Sequence, residues 1–536
     1  LRIIRYNNKL LITFDYNLKF LEIIQSFPNR YWHKKVLTWE LSIEDFQSLI
    51  NKLDESEYPY EIIDKTIEFK PFHSYEFKTE PMSHQQEGFE FGSINLNWFL
   101  GDEQGLGKTK QVLDLAVAKK ENYRYKHCLI VTGVRNIRIN WLREIKKHTK
   151  EPACIIGGKK DSNQSKLIHL QQIPEEYFWI INGEALRNSK ISDLLKIYTK
   201  KGIISILLVD EIHRLKNPVT QQGKGLLKLK ECKEKILLSG TPIENSPLDG
   251  FMILKLLEFE KRTWTNFKGY YCEYGGFGGF QVLGYNNMKE YRNRFKSIML
   301  RRLKEDVLDL PEKIRTTEYL KMNPLQRLVY EQVRINILNN LNKIKKSKNP
   351  LVHLLRLRQA TLHTALLSSE YNESIKFERV LDLIENSNSN NRKCVVFSQS
   401  RVIIELLYKE LALYNPAIIT GAVKNTQQEI DKFQLSDKCR VILGTSKALG
   451  TGYNLTAGTH MIRLDRAWTP STCNQEEDRL HRIGTTQTIN ITTLVCIDTI
   501  DEKIEQLIER KGSMSDYLID GRIMKDKEKL LDWILS

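Results

Sequence analysis

The sequence predicts an α/β chain in which two lobes built on parallel sheets are joined by a helical middle and preceded by a small α+β domain. Three observations predict it. From about Pro81 onward, short apolar runs alternate with amphipathic stretches, the pattern of parallel strands joined by crossover helices. The runs form two sets: Cys128 to Val131, Ile203 to Val209 and Ile236 to Leu238, then Val395 to Phe397, Val441 to Leu443, Met461 to Leu464 and Ile489 to Val495. A chain of 536 residues also exceeds one core, and about 150 residues per domain gives three or four units.

Taken in order, residues 1 to 53 carry a net charge of +3 and residues 54 to 80 a net charge of −5, which predicts a domain over 1–55 and a linker over 56–80. In the first piece, Ile3 to Ile4 and Leu10 to Phe14 predict two strands about a turn at Asn7-Asn8. Leu18 to Ser26 predicts a helix stopped before Pro28, and Ser42 caps a second one. Between the helices, Arg30 to Trp39 interleaves cations with aromatics, the chemistry that holds phosphates and stacks on unpaired bases. Arg30, Trp32 and Trp39 are therefore candidate DNA contacts, the alternative being that the aromatics form the core of a small domain. The succession Phe14-Asp15-Tyr16-Asn17, Pro28 to Trp32, Thr38-Trp39 and Asp45-Phe46 resembles the HARP-type modules attached to fork-remodelling ATPases.

The first lobe, expected over 81–305, is organised around Asp102-Glu103-Gln104-Gly105-Leu106-Gly107-Lys108-Thr109. Gly105 and Gly107 let the backbone turn tightly and aim N–H groups at an anion, Lys108 adds a point charge and Thr109 a hydroxyl for Mg²⁺. A helix over Thr109 to Lys120, with Val112, Leu113, Ala116 and Val117 on one face, turns its positive end toward the phosphates. A strict P-loop has Gly where this chain has Asp102. After the run ending at Val209 comes Asp210-Glu211-Ile212-His213, at the end of a parallel strand where such sheets bind ligands. Asp210 suits Mg²⁺, directly or through water, and Glu211 suits orienting or deprotonating the attacking water. Ser239-Gly240-Thr241-Pro242 follows the next strand as a small-residue turn.

Residues 239 to 394 read as a largely helical tract with a Gly-rich loop at Gly275 to Gly279 and a basic loop at Lys343 to Pro350. The second lobe is expected over 306–512, followed by a tail over 513–536. Within it, Pro470 and Gly484 bound a predicted helix on which Gln475, Arg479 and Arg482 stand at i, i+4 and i+7, so that two guanidiniums share one face.

In their order these motifs resemble the Swi/Snf family of DNA-dependent ATPases, within helicase superfamily two. The match includes Gln85 in Ser83-His84-Gln85-Gln86-Glu87-Gly88, Asp102 to Gln111, Asn140-Trp141 with Glu144, Asp-Glu-x-His at 210–213 and Leu238 to Asn245. It continues through Met299-Leu300-Arg301-Arg302-Leu303-Lys304-Glu305-Asp306-Val307, Leu355 to Gln359, Gly450 to Leu455, Asp465 to Pro470 and the arginine segment. The resemblance implies RecA-like lobes and a catalytic set of Lys108, Asp210, Glu211, Arg479 and Arg482. It implies ATP held by Gln85, Gly105, Gly107, Lys108, Thr109, Gly452 and Gln475, with Mg²⁺ on Thr109 and Asp210. This family's P-loop lacks the first glycine, which accounts for Asp102. Departures are His213 to Asn217 after the box and a shifted Gln487 after Gly484. Arg135, Trp141 and Trp468 adjoin cleft-facing motifs and join the candidate DNA contacts.

A formal charge of +16 points to a polyanionic partner. The eight cysteines show no C-x-x-C pair, and no run nears the roughly 18 apolar residues that span a bilayer. With no signal-peptide pattern, the expectation is an intracellular protein of the cytoplasm or nucleus, in a reducing compartment, monomeric and away from membranes. The expected activity is ATP-dependent translocation on double-stranded or forked DNA that anneals strands or regresses forks. The alternatives are a strand-separating helicase and an ATP-gated clamp or scaffold.

Overall fold

The computed structural model describes residues 1–506 and 508, apart from 7–8, 14–16, 29, 34–37, 57–58, 65–74, 134–136, 242, 244–245, 276–280, 341–351, 369, 424, 450–452 and 469. The turn at Asn7-Asn8, Phe14 to Tyr16, the Gly-rich loop beyond Gly275, the basic loop at Lys343 to Pro350 and the tail over 513–536 thus lie outside the described residues. The chain divides into two units, Leu1–His73 and Ser74–Ser536.

In the first unit, β1 (Arg2–Tyr6) and β2 (Lys9–Thr13) form the expected antiparallel pair. α1 (Leu18–Gln25) begins where Asn17 Oδ1 accepts from the Lys19 N–H at 3.0 Å. β3 (Tyr31–His33) and β4 (Thr38–Ser42) follow, then α2 (Phe46–Glu55) and β5 (Glu61–Asp64). Ser42 caps a short 3₁₀ turn, Ile43–Asp45, that precedes α2. Five strands in the order β3-β4-β2-β1-β5 make the sheet. Its core is Ile3, Leu10, Ile12 and Leu41 against Phe20 and Ile24 of α1 and Leu49 and Leu53 of α2, at period two in the strands and i, i+4 in the helices. The expected linker over 56–80 needs correction, because Glu61–Asp64 is a strand paired parallel with β1. The register sets Arg2 opposite Glu61 and Arg5 opposite Asp64, so the change of charge sign that suggested a boundary matches two paired strands of one sheet.

In the second unit, α3 (Ser83–Ile94) leads into β6 (Asn97–Leu100), α4 (Lys108–Tyr123), β7 (His127–Thr132) and α5 (Ile137–His148). The strands β8 (Ala153–Ile155), β9 (Phe178–Asn182), β10 (Ile204–Asp210) and β11 (Glu234–Leu238) come next. Among the described residues, the middle tract is less purely helical than its composition implies. It holds an antiparallel ribbon, β12 (Cys272–Gly275) with β13 (Gln281–Tyr285), and gives β14 (Met299–Leu300) to the first sheet and β15 (Lys313–Leu320) to the second.

The first sheet has the order β14-β6-β11-β10-β7-β9-β8, every pairing parallel. The second runs from β15 through β20 (Ile489–Cys496), β19 (Gly458–Arg463), β16 (Lys393–Ser398) and β18 (Val441–Thr445) to β17 (Ala417–Ile419), again all parallel. Burial explains the apolar runs. In β16, Cys394 and Val396 enter one core cluster while Val395 and Phe397 enter another, so both faces of the sheet are covered and neither tolerates polar alternation. α4 is likewise buried all round, from Lys110 to Lys119, rather than on one stripe. Its buried cations are matched: Lys110 by Asp114 at 2.7 Å, and Lys119 by Glu234.

Candidate nucleotide-binding site

Because β6, β11 and β10 are neighbours in a parallel sheet, the three loops at their C-terminal ends fall together: 101–107, Ser239-Gly240-Thr241 and Asp210-Glu211. Gly105 and Gly107 take φ of 89° and 73°, the left-handed backbone that turns the loop into α4. A side chain at Gly107 would also strike Gln85, since its Cβ would lie 2.2 Å from Gln85 Nε2. Gln85 is thereby held on the loop, with His84 Nε2 3.0 Å from the Leu106 carbonyl beside it. The Lys108 ammonium donates to the carbonyls of Asp102 (2.8 Å) and Glu103 (3.1 Å). Burial pulls its pKa down against the attraction of Glu211, Asp102, Asp210 and Asp478. Thr109 lies in the first turn of α4, half-buried.

Asp102 is fully buried and receives Arg302 through Nε (3.1 Å) and Nη2 (2.6 Å). Gln111 Nε2 adds a third donor at 3.1 Å. A glycine here would leave that guanidinium with only the exposed Glu87 carboxylate, 3.3 Å from Nη1, which is a physical reason for the departure from the strict pattern.

Glu211 sits at φ 51°, a strained position for a side-chain-bearing residue at a strand end. Burial works to raise its pKa, but His213, Lys108 and Arg479 outweigh it and hold the carboxyl down. The neighbouring Asp210 is pushed up by burial and by the Glu211 charge, with the Trp141 indole and Lys108 opposing. Two adjacent carboxyls are thus driven apart, one toward a lasting anion. His213 joins the loops: its Nδ1 lies 3.1 Å from Glu211 Oε2 and 2.9 Å from Ser239 Oγ.

The arginines arrive from the other sheet. The helix expected over Pro470 to Gly484 ends at Glu477, and Arg479 and Arg482 stand in the turns beyond it rather than on one helix face. Its backbone tightens, Arg479 N–H to Glu476 C=O (3.1 Å) and Leu480 N–H to Glu477 C=O (3.0 Å), while the Leu455 N–H takes the Arg479 carbonyl at 2.9 Å. The preceding helix is fixed by the buried Arg463 of β19, which donates to Glu476 Oε2 (3.0 Å) and the Cys473 carbonyl (3.3 Å). Arg479 Nη2 then reaches Gln104 Oε1 at 2.8 Å. Burial and Arg482 bring the Arg479 pKa down to about 10, with Glu211, Asp478 and Asp210 opposing. Arg482 lies over the loop, its Cβ 3.0 Å from where a Cβ on Gly105 would be. Gln475 is buried and accepts from Arg479 Nε at its carbonyl, 3.2 Å.

Lys108, Asp210, Glu211, Arg479, Arg482, Gln85, Gly105 and Gly107 are therefore brought together; Gly452 lies outside the described residues. Of the proposed DNA contacts, the side chains of Trp141, Trp468, Arg30 and Trp39 are described. Trp141 is 1% exposed and donates Nε1 to Asp210 Oδ2 at 2.9 Å, which corrects its assignment as a DNA-facing residue: it is a packing and positioning group of the acidic pair. Trp468 packs beside Leu354 and Leu357 with the Arg358 guanidinium 5.2 Å from its ring centre. Arg30 is exposed and donates to the Phe27 carbonyl at 2.8 Å, and Trp39 packs on the first unit's core. The Trp32 side chain and Arg135 lie outside the described residues.

The donor set fits a nucleoside triphosphate. Beside the glycine turn, Gln104 Nε2 and Thr241 Oγ1 are buried without a hydrogen-bond partner among the described residues. Thr109 and Asp210 offer the one or two oxygens that Mg²⁺ takes from protein.

A phosphate loop on one parallel sheet, reached by arginines from a second, is the arrangement of a two-lobed P-loop helicase-type core. The SNF2-related domain matches residues 33–366 and the helicase conserved C-terminal domain residues 375–484, and the chain belongs to the SNF2-related family. Among its relatives, YwqA of Bacillus subtilis is 27% identical over 449 residues, 79% of this chain and 46% of that one. The DNA annealing helicase and endonuclease ZRANB3 of Bos taurus is 26% identical over 487 residues, 87% of this chain and 42% of that one. A solved Sulfolobus solfataricus SWI2/SNF2 ATPase core in complex with dsDNA is 25% identical, over 84% of this chain and 95% of that one, with a TM-score of 0.40. The chain spans about half the length of the curated relatives it matches. No helix among the described residues is long and apolar enough to cross a membrane.

Proposed function

We propose that the chain is an ATP-driven motor on duplex DNA that remodels branched DNA, annealing strands or regressing forks. The observation that carries the motor reading is Arg479 bonded to Gln104, by which the second lobe contributes to a hydrolytic site built on the first. In this reading the backbone of 105–109 and Lys108 cradle the phosphates, and Thr109 and Asp210 hold Mg²⁺, which supplies charge neutralisation at the phosphates. Glu211, kept anionic by His213, Lys108 and Arg479, orients and deprotonates water. Arg479 and Arg482 stabilise charge on the transferring phosphoryl group. Gln85 reads the base.

A net charge of +16 supports grip on the phosphate backbone without sequence preference, as a tracking motor requires. The similarity to a DNA annealing helicase supports the branched-DNA reading, as does the HARP-like order of residues in the first unit. None of the eight cysteines is in a disulfide, which fits a reducing intracellular compartment. The test is ATP-dependent displacement of a third strand from linear duplex, run beside strand separation and strand annealing. Third-strand displacement and annealing without separation are expected. Separation of duplex strands would favour the helicase reading, and no ATP-dependent movement the clamp.

A further inference from the structure

The segment 299–304 lies against the start of the phosphate loop. Gly101 N–H donates to the Leu300 carbonyl (2.8 Å), Glu103 N–H to the Arg302 carbonyl (3.0 Å), and Lys304 N–H to Glu103 Oε2 (2.8 Å). Arg301 adds a side-chain bond to the Gly101 carbonyl at 2.7 Å. From this anchored backbone the Lys304 side chain turns to the other lobe, donating to Asp478 Oδ1 and to the His481 carbonyl at 2.8 Å. The pair is sealed from water, the two side chains being 6% and 5% exposed.

Asp478 directly precedes Arg479, and His481 directly precedes Arg482. One ammonium therefore holds a point just ahead of each arginine. These residues follow the end of their helix, where Asp478 N–H still donates to the Asn474 carbonyl and His481 N–H to the Glu477 carbonyl, both at 2.9 Å; those bonds hold the turn within its own lobe, and Lys304 ties it to the other. The Lys304 stem also lies over the loop: Cε is 3.2 Å from where a Cβ on Gly105 would stand, next to Arg482 Cβ.

We propose that Lys304 is a positioning residue that seats Arg479 and Arg482 over the phosphate loop, joining the inter-lobe segment to both halves of the site. The inference rests on the reading of this site as an ATPase. Lys304 touches no reacting atom in it; it fixes where the arginines stand, and a displacement of about 1 Å in such groups is enough to cost roughly 10²-fold in turnover.

The experiment uses the full chain with Lys304→Met, Lys304→Arg and Asp478→Asn, measured by amide hydrogen exchange and by ATP hydrolysis on linear duplex. In Lys304→Met, amides of residues 478–485 are expected to exchange at least about tenfold faster, with α4 and β10 unchanged. Turnover is expected to fall roughly 10²-fold with KM for ATP within about twofold, Lys304→Arg recovering most of it and Asp478→Asn reproducing the loss. Unchanged exchange at 478–485 overturns the proposal whatever hydrolysis does. Faster exchange throughout the second sheet overturns it too, by making Lys304 a general stabiliser. A wild-type chain that fails to hydrolyse ATP would overturn the ATPase reading, and the exchange result would still decide the placement of the arginines by Lys304.

Discussion

Arg479 Nη2 donates to Gln104 Oε1 across 2.8 Å, joining two residues 375 positions apart in the chain. The bond brings a guanidinium from the second lobe to the loop that would cradle phosphates. Replacing Arg482, its neighbour over Gly105, by Ala is expected to lower ATP turnover roughly 10³-fold while ATP affinity changes modestly. Steady-state hydrolysis and equilibrium binding of a fluorescent ATP analogue check this. Turnover within a few-fold of wild type would make Arg482 a structural residue.

The buried pair of Asp102 with Arg302 should be a stability element as much as a site element. Asp102→Ala leaves the guanidinium among buried groups with only the exposed Glu87 carboxylate, 3.3 Å away, and is expected to destabilise the first lobe by about 3 kcal/mol. A denaturant titration followed by fluorescence reads it, and an unshifted midpoint would show that water or another acid takes over the pairing.

Trp141→Phe keeps the packing and removes the indole N–H that Asp210 accepts. The expected result is turnover lower by roughly tenfold, in line with a hydrogen bond to a charged group, with duplex affinity unchanged. The opposite outcome, intact turnover and weaker duplex binding, would return Trp141 to the DNA side.

Removing residues 1–73 takes out the whole five-stranded sheet, β5 included. Duplex-stimulated hydrolysis is expected to stay within a few-fold, while affinity for a fork falls more than affinity for linear duplex at equal salt, because unpaired bases are what cation and aromatic side chains can stack upon. Equal losses on both substrates would make the unit a general docking element. Duplex affinity itself should fall steeply with salt.

How far the sequence carried these inferences depended on burial. Runs such as Ile203 to Val209 were legible because both faces of their sheets are covered. β15 was not, since it lies at a sheet edge and its Lys-Ile-Arg-Thr-Thr-Glu-Tyr-Leu is mostly exposed or half-buried. Short strands such as β14 and β5 carry too few residues for a period to appear. In the site, local motifs announced Lys108, Asp210 and Glu211. The partners of Trp141, Lys304 and Asp102 lie 69, 174 and 200 residues away, and no local pattern announces such bonds. The arginine segment was expected to be helical from its bounds at Pro470 and Gly484; it leaves the helix where the carbonyls of Arg479 and His481 find their partners in Leu455 and Lys304, remote from it in sequence.

The central claim is that one hydrolytic site, built by both lobes, is driven by duplex DNA. Its most direct test is the rate of ATP hydrolysis with and without linear duplex, for the wild-type chain and for Lys108→Ala. Wild type is expected to hydrolyse ATP at least roughly tenfold faster on duplex, and Lys108→Ala to hydrolyse none above background. A wild-type rate indifferent to duplex, or a Lys108→Ala rate equal to it, would contradict the claim.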